Sequence, residues 1–159
     1  MAILVSSPEF KKAERIPPKF TGDGEDISPR LEWSNVPEKA KTLVMIMEDP
    51  DAPAGTFAHW VIYNIPASSR GLPEDVPDQP RLADGSMQGR NSAGGIGYHG
   101  PYPPMGSKHR YYFSLYALDD TLNLGPGASR EQVLKALDGH IIDQGRLLGI
   151  FQRSPIMPM

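Results

Sequence analysis

The apolar positions of this chain fall into short runs, and each run is stopped by Pro, Gly or Asp. Ala2–Ser6 is short and aliphatic, and Leu31–Trp33 is a second brief candidate strand. Thr42–Met47 (TLVMIM) is a continuous apolar run that stops at Asp49-Pro50, the mark of a buried strand. His59–Asn64 (HWVIYN) is aromatic and β-branched and stops at Ile65-Pro66. Tyr111–Leu118 (YYFSLYAL) is the longest run, and a period of two puts Tyr111, Phe113, Leu115 and Ala117 on one face. Arg146–Gln152 reads as a returning last strand. The prolines lie between these runs rather than inside them, as strands require.

Only one segment has helical spacing. Ser129 is a good N-cap with Gln132 three residues on as its capping-box partner, Val133, Leu134 and Leu137 form an apolar stripe, and Gly139 suits C′. Residues 72–90 are polar and rich in turn residues, and read as a long surface loop. The halves on either side are too thin in apolar residues for separate cores, so one domain over residues 1–159 is expected. One helix and several short strands predict a mainly β sandwich with a helix on its flank.

Composition sharpens this picture. Among 159 residues there are 17 Pro, 16 Gly and no Cys. That Pro content is about twice the usual share, and it excludes a helical bundle because Pro breaks helix interiors. Without Cys there is no disulfide framework, thiolate zinc site, iron–sulfur cluster or cysteine nucleophile. A Cys-free chain also fits a cytoplasmic location. The formal net charge of −3 argues against nucleic acid or an anionic membrane surface as the main partner. The N-terminal apolar run is too short for a signal-peptide core, and no stretch is long enough for a transmembrane segment.

The candidate chemistry gathers at the ends of the strands. Gly95–Gly100 (GIGYHG) matches a dinucleotide-binding glycine pattern, but it runs into Pro101-Tyr102-Pro103-Pro104. No helix can start there to receive phosphates, so that reading is rejected. Asp49 ends a strand. Its ordinary role is a turn initiator that accepts the N–H two residues on. The alternative makes Asp49 a polar group at a pocket rim, aimed by Pro50 and Pro53. Of the four His, each is by default structural, and His140 fits the end of the helix. His59 and His109 each begin a strong strand beside a Pro- and Gly-rich loop. With Asp49 they form a set that suits a small anion: imidazole and Tyr hydroxyl donors, with Asp49 fixing a His tautomer. The same set allows zinc on two His and a carboxylate.

At these residues the chain resembles a known family. The blocks DPDAPAGTFAHWVIYNIP (Asp49–Pro66) and GYHGPYPPMGSKHRYYFSLYALD (Gly97–Asp119) closely resemble the phosphatidylethanolamine-binding proteins, most of all their bacterial and archaeal branch. ISPRLEWSNVP, GRNSAGG and the tail ALDGHIIDQGRLLGIFQR extend the likeness over nearly the whole chain. The resemblance implies a Greek-key β-sandwich with an anion pocket at one end of a sheet. It implies that Asp49 is the pocket Asp, with Asp51 and Pro53 completing that turn, and that His59 is the first pocket His. Pro104 would be a pocket wall, and His109 and Tyr111 the second His and the Tyr donor. Tyr102 stands where relatives often have a small residue or Cys, so it would narrow the mouth or stack over a ligand. The extra C-terminal helix of animal members is expected to be absent.

Three functions compete. The first is a binding protein for a small phosphate-containing ligand, such as a phosphorylated lipid head group, with affinity rising as the imidazoles charge near pH 6.5. In that reading Asp49 orients His59 or bonds the ligand. The second is a regulator whose surface loops meet a protein partner, a serine protease or a kinase. The third is an enzyme using His59, His109 and Asp49 as acid and base. No activated nucleophile, metal cluster or cofactor motif accompanies them, so binding without chemistry and without a cofactor is expected. The resemblance leaves room for a homodimer.

Overall fold

The computed structural model describes residues 2–153. It is mainly β with one α-helix. The strands are β1 (Leu4–Ser6), β2 (Glu14–Arg15), β3 (Leu31–Ser34), β4 (Thr42–Asp49), β5 (Phe57–Pro66), β6 (Gly71–Leu72), β7 (Met87–Gln88), β8 (Lys108–Leu118) and β9 (Ile141–Gln152). A 3-10 turn covers Pro18–Phe20, and α1 runs over Arg130–Leu137. A small sheet has the order β1-β3-β6, and a large one the order β2-β9-β8-β4-β5-β7. All pairings are antiparallel except that of β2 with β9.

The apolar runs become the central strands because only there can both faces be covered. β4 lies between β8 and β5, and residues Thr42–Met47 are all buried. One face of the large sheet carries Met45, Met47, Trp60, Tyr111, Phe113 and Leu115 against Leu31, Trp33 and Leu72 of the small sheet. The other face carries Val44, Ile46, Val61 and Tyr63, covered by Val133 and Leu137 of α1. The capping box at Ser129 and Gln132 is formed, and Gly139 follows the helix with φ of 83°. Among the described residues, no helix is long and apolar enough to cross a membrane.

Three local expectations change. The strands extend past their apolar cores: β5 closes on Pro66, opposite Thr42, and β9 begins at Ile141, two residues after Gly139. The 72–90 segment is not a free surface loop. Val76, Ser86 and Gln88 are buried in it, and β7 pairs with β5. Gln88 explains the docking, because its amide donates to the Pro77 and Gln79 carbonyls while its oxygen accepts the Trp60 indole N–H at 2.7 Å. A polar residue in a polar stretch reads as exposed until its three partners are known.

β9 passes so close to the N-terminal segment that a Cβ on Gly145 would lie 1.9 Å from the Ile3 carbonyl oxygen. Gly145→Ala should therefore lower stability by about 2 kcal/mol or more, as overpacking does. Gly125→Ala, where a Cβ meets nothing within 4 Å, should change it by less than about 0.5 kcal/mol. Urea unfolding of the two variants measures the difference.

Candidate functional site

Three neighbouring strands deliver the candidate side chains to one end of the large sheet. Asp49 is the last residue of β4, His59 is the third of β5, and His109 and Tyr111 lie on the inward face of β8. All four are buried. They line a cavity of about 190 Å³ together with Ala52, Pro53, Phe57, His99, Tyr102, Pro103 and Pro104. That volume is below the roughly 300–1,000 Å³ of sites for drug-sized ligands and suits a compact group.

Asp49 fills both roles considered for it. Its Oδ1 accepts the Asp51 N–H at 2.7 Å, the turn contact, while its Oδ2 lies 2.6 Å from Nδ1 of His109. His109, not His59, is therefore the imidazole that Asp49 orients. His59 is held from elsewhere: its Nδ1–H donates to the His99 carbonyl, and the His99 N–H donates back to the His59 carbonyl. His99, which the sequence left as an ordinary His, is thus part of the wall. The signal for it lay in GIGYHG. Gly100 beside it has no room for a side chain, since a Cβ would lie 2.2 Å from Asp26 Oδ1.

Asp51 does not line the cavity. Its carboxylate takes the Arg110 guanidinium in a two-pronged pair, at 2.8 and 3.0 Å, and also accepts the Arg110 N–H at 2.9 Å. The Arg110 hydrogen bonds hold its pKa down at about 2. Its place is structural, bracing the turn that carries Asp49 and Pro53. His140 pairs with Asp119 at 2.8 Å, far from the cavity in sequence and outside its lining. Trp60 is core and Tyr112 lies outside the lining. Among the described residues no cluster of three or more His, Asp or Glu side chains could hold a metal ion, so the zinc alternative finds no ligand set there.

Tyr111 is the exceptional group. Its hydroxyl is fully buried and is the one buried side-chain polar atom without a hydrogen-bond partner among the described residues. Burial, and then the charges of Asp49 and Asp51, push its pKa well above the ordinary phenol value, so it stays an O–H donor. An orphaned buried hydroxyl costs free energy unless something meets it.

The second wall is pinned to the rest of the fold. The Tyr98 hydroxyl donates to the Phe20 carbonyl at 2.6 Å, the Gly100 N–H to Asp26 at 2.9 Å, and the Gly22 N–H to the Pro101 carbonyl at 2.9 Å. Tyr102 is 54% exposed at the mouth, where the Arg153 guanidinium covers its ring at 3.9 Å. Gly106 N–H donates to the Arg153 carbonyl, and Gln152 donates to the Gly106 carbonyl.

The comparisons agree with this architecture. Residues 6–152 match the family model described as phosphatidylethanolamine-binding protein. The UPF0098 protein of Methanothermobacter thermautotrophicus is 54% identical over 145 residues, covering 91% of this chain and 95% of that one. The UPF0098 protein of Aquifex aeolicus is 48% identical, covering 94% and 88%. Among solved structures, a putative phosphatidylethanolamine-binding protein homolog, CT736 from Chlamydia trachomatis, matches with a TM-score of 0.87 and 41% identity over 96% of this chain and 98% of that one. Escherichia coli YBCL, described as a new member of the mammalian family, gives 0.88 and 32% over 96% and 99%. The chain belongs to the phosphatidylethanolamine-binding protein family.

His59 corrects the expected pH behaviour. The rings of Phe57, His99 and Tyr111 surround it, with centroids 4.7, 6.0 and 5.3 Å away. Burial is the largest cause that lowers its pKa from 6.5 to about 4. It therefore remains neutral through the range in which a free His charges. The unfolded chain takes this proton near pH 6.5 and the folded one only near pH 4, so stability is lost as pH falls across that window. The loss from this group alone is about 3 kcal/mol. Urea unfolding at the two ends of the window should show it in the wild type, and a His59→Gln variant should lack that part.

Proposed function

We propose that the cavity binds a small phosphate-bearing group and holds it without chemistry, so that the protein acts through ligand occupancy. The observation that carries this reading is the buried Tyr111 hydroxyl with no partner, set beside the Asp49–His109 pair in a cavity of compact size. A ligand oxygen accepting from Tyr111 would satisfy that hydroxyl. Pro53, Phe57, Pro103 and Pro104 line the cavity with apolar surface beside its polar groups. The family resemblance supports the same reading.

Tyr111→Phe separates a binding role from a packing role. It removes an unsatisfied hydroxyl, so the free protein should be as stable as the wild type or more so. Its affinity for inorganic phosphate, read by isothermal titration calorimetry, should fall about tenfold, the value of one hydrogen bond to a charged group. A His59→Ala, His109→Ala double variant should lose measurable binding. Unchanged phosphate affinity in both variants would show that the site is elsewhere.

A second reading uses the rim. Tyr102 and Met105 are exposed at 54% and 43% on a Pro-rich loop held at both ends, and rigid apolar loops lose little entropy on docking. This is the surface through which a protease or a kinase would be met. A panel of chymotrypsin-like and subtilisin-like proteases at micromolar protein should show inhibition that weakens in Tyr102→Ala; no inhibition of any of them removes the protease branch.

A further inference from the structure

We propose that two copies of this chain pair edge to edge through β9, in antiparallel register about a two-fold axis at Gly145. The proposal rests on the topology of the large sheet and is independent of the ligand reading above.

β9 is the longest strand, and only part of its outer edge is covered. Along one edge it pairs with β8 from Ile141 to Gln152. On the other edge β2 reaches only Gly149 and Ile150. The Ala13 and Ile16 N–H groups donate to the Leu148 and Ile150 carbonyls, so these two residues turn their backbone groups away from β8. By the same alternation Gln144 and Arg146 do so too. The register shift between Ala117 and Leu118 ends the regular pairing with β8 at Asp143. Residues 143–147 are therefore an open edge, and among the described residues no strand pairs with it.

The N-terminal segment does not close this edge. A Cβ on Gly145 would point into the sandwich, as the side chains of Leu147 and Phe151 do, and there it would meet the Ile3 carbonyl oxygen. Ile3 thus lies over the inner face of Gly145 and leaves the edge free. The Gln144 N–H bonds to the adjacent Asp143 carboxylate at 2.8 Å, a local contact that a pairing strand replaces. Ile141, 40% exposed, precedes the open stretch, and Leu4, 60% exposed, follows the residue that lies over Gly145. An unpaired edge beside exposed aliphatic side chains is a template for another strand.

The residues of the stretch select a second copy as that strand. Opposite residues of an antiparallel pair share a face, and one register about a two-fold axis uses every open position: Gly145 opposite Gly145, Gln144 opposite Arg146, and Asp143 opposite Leu147. In it the Arg146 N–H donates to the Gln144 carbonyl of the second copy, and the Arg146 carbonyl accepts the Gln144 N–H in return, twice by symmetry. The two glycines present no side chains at the axis. On the outer face each Gln144 carboxamide stands opposite an Arg146 guanidinium. That guanidinium lies 4.4 Å from the centre of the Tyr112 ring, and Tyr112 stands opposite Leu148, so both arginines lean away from the axis. Sliding the register one way opposes Arg146 to its own copy, which is unfavourable. Sliding it the other way draws in Ile142, where the regular pairing has ended.

Sedimentation velocity of the wild type from about 1 μM to about 1 mM should show the mass rising from one chain towards two, since so short a pairing gives a modest affinity. Gln144 is exposed, so substitutions there leave the single chain intact. Gln144→Glu sets opposite charges across the axis twice and should tighten the dimer at least about threefold, while Gln144→Arg sets like charges there and should weaken it by a similar factor. Amide hydrogen exchange at Arg146 should slow as the wild-type concentration rises, whereas that at Leu147, whose N–H faces β8, should not. A wild type that keeps the mass of one chain throughout overturns the proposal. A dimer of unchanged strength in both variants, or one in which exchange at Arg146 ignores concentration, overturns it as well, because the interface then lies elsewhere.

Discussion

Asp49 is a buried carboxylate divided between two donors, and the end of the sheet is built around that division. β4 carries the residue in from a run with no exposed position, so the carboxylate arrives without water. Left unpaired there it would be costly. The Asp51 N–H and the His109 ring satisfy it, one oxygen each. Pro50 sits between two acids that grip consecutive residues of β8: Asp49 takes His109 on the inner side, and Asp51 takes Arg110 on the outer. A strand alternates its side chains between faces, so one short turn can clamp both faces of its neighbour at once. The position of His109, and of Tyr111 two residues on, follows from that clamp.

Much of this was legible in the chain before the fold was known. Apolar runs bounded by Pro located the central strands, and Ser129 with Gln132 located the helix, because these are local signals. The convergence of Asp49, His59, His109 and Tyr111 was also readable, since each stands at or near the start or end of a strong strand. What was not readable depended on contacts distant in sequence. Strand order leaves both open, since β4 lies between β5 and β8; that Asp49 serves His109 rather than His59 is decided by the side-chain contact across β4 and β8. The role of His99 depends on a backbone exchange with His59 across 40 residues. Burial in the 72–90 segment depends on Gln88 meeting Trp60. Asp51 belonged to the right turn, but its partner lies on the outer face.

The glycine pattern Gly95–Gly100 shows how a familiar spacing can serve another end. Here the glycines allow close approach of two loops rather than delivery of phosphates to a helix. Gly97 adopts φ of 96° with Asp78 close by, and Gly100 leaves space for Asp26 and the Phe20 carbonyl. The prolines that follow cannot begin a helix from this point, yet they stiffen the wall that His99 and Tyr102 belong to. A chain without disulfides thereby holds a small site in shape with ring-constrained backbone and a few long-range hydrogen bonds.

The pinning of the 101–107 loop by Gln152 and Arg153 also sets an order of events during synthesis. The polar groups that line the cavity are complete in the chain by Tyr111, but the loop that walls them is fastened by residues some forty positions later. On the ribosome the acid, the imidazoles and the phenol are all present while their enclosure is still missing its anchor. β9 must pair along β8 before that anchor is in place. The cavity is therefore enclosed only once β9 has docked along β8.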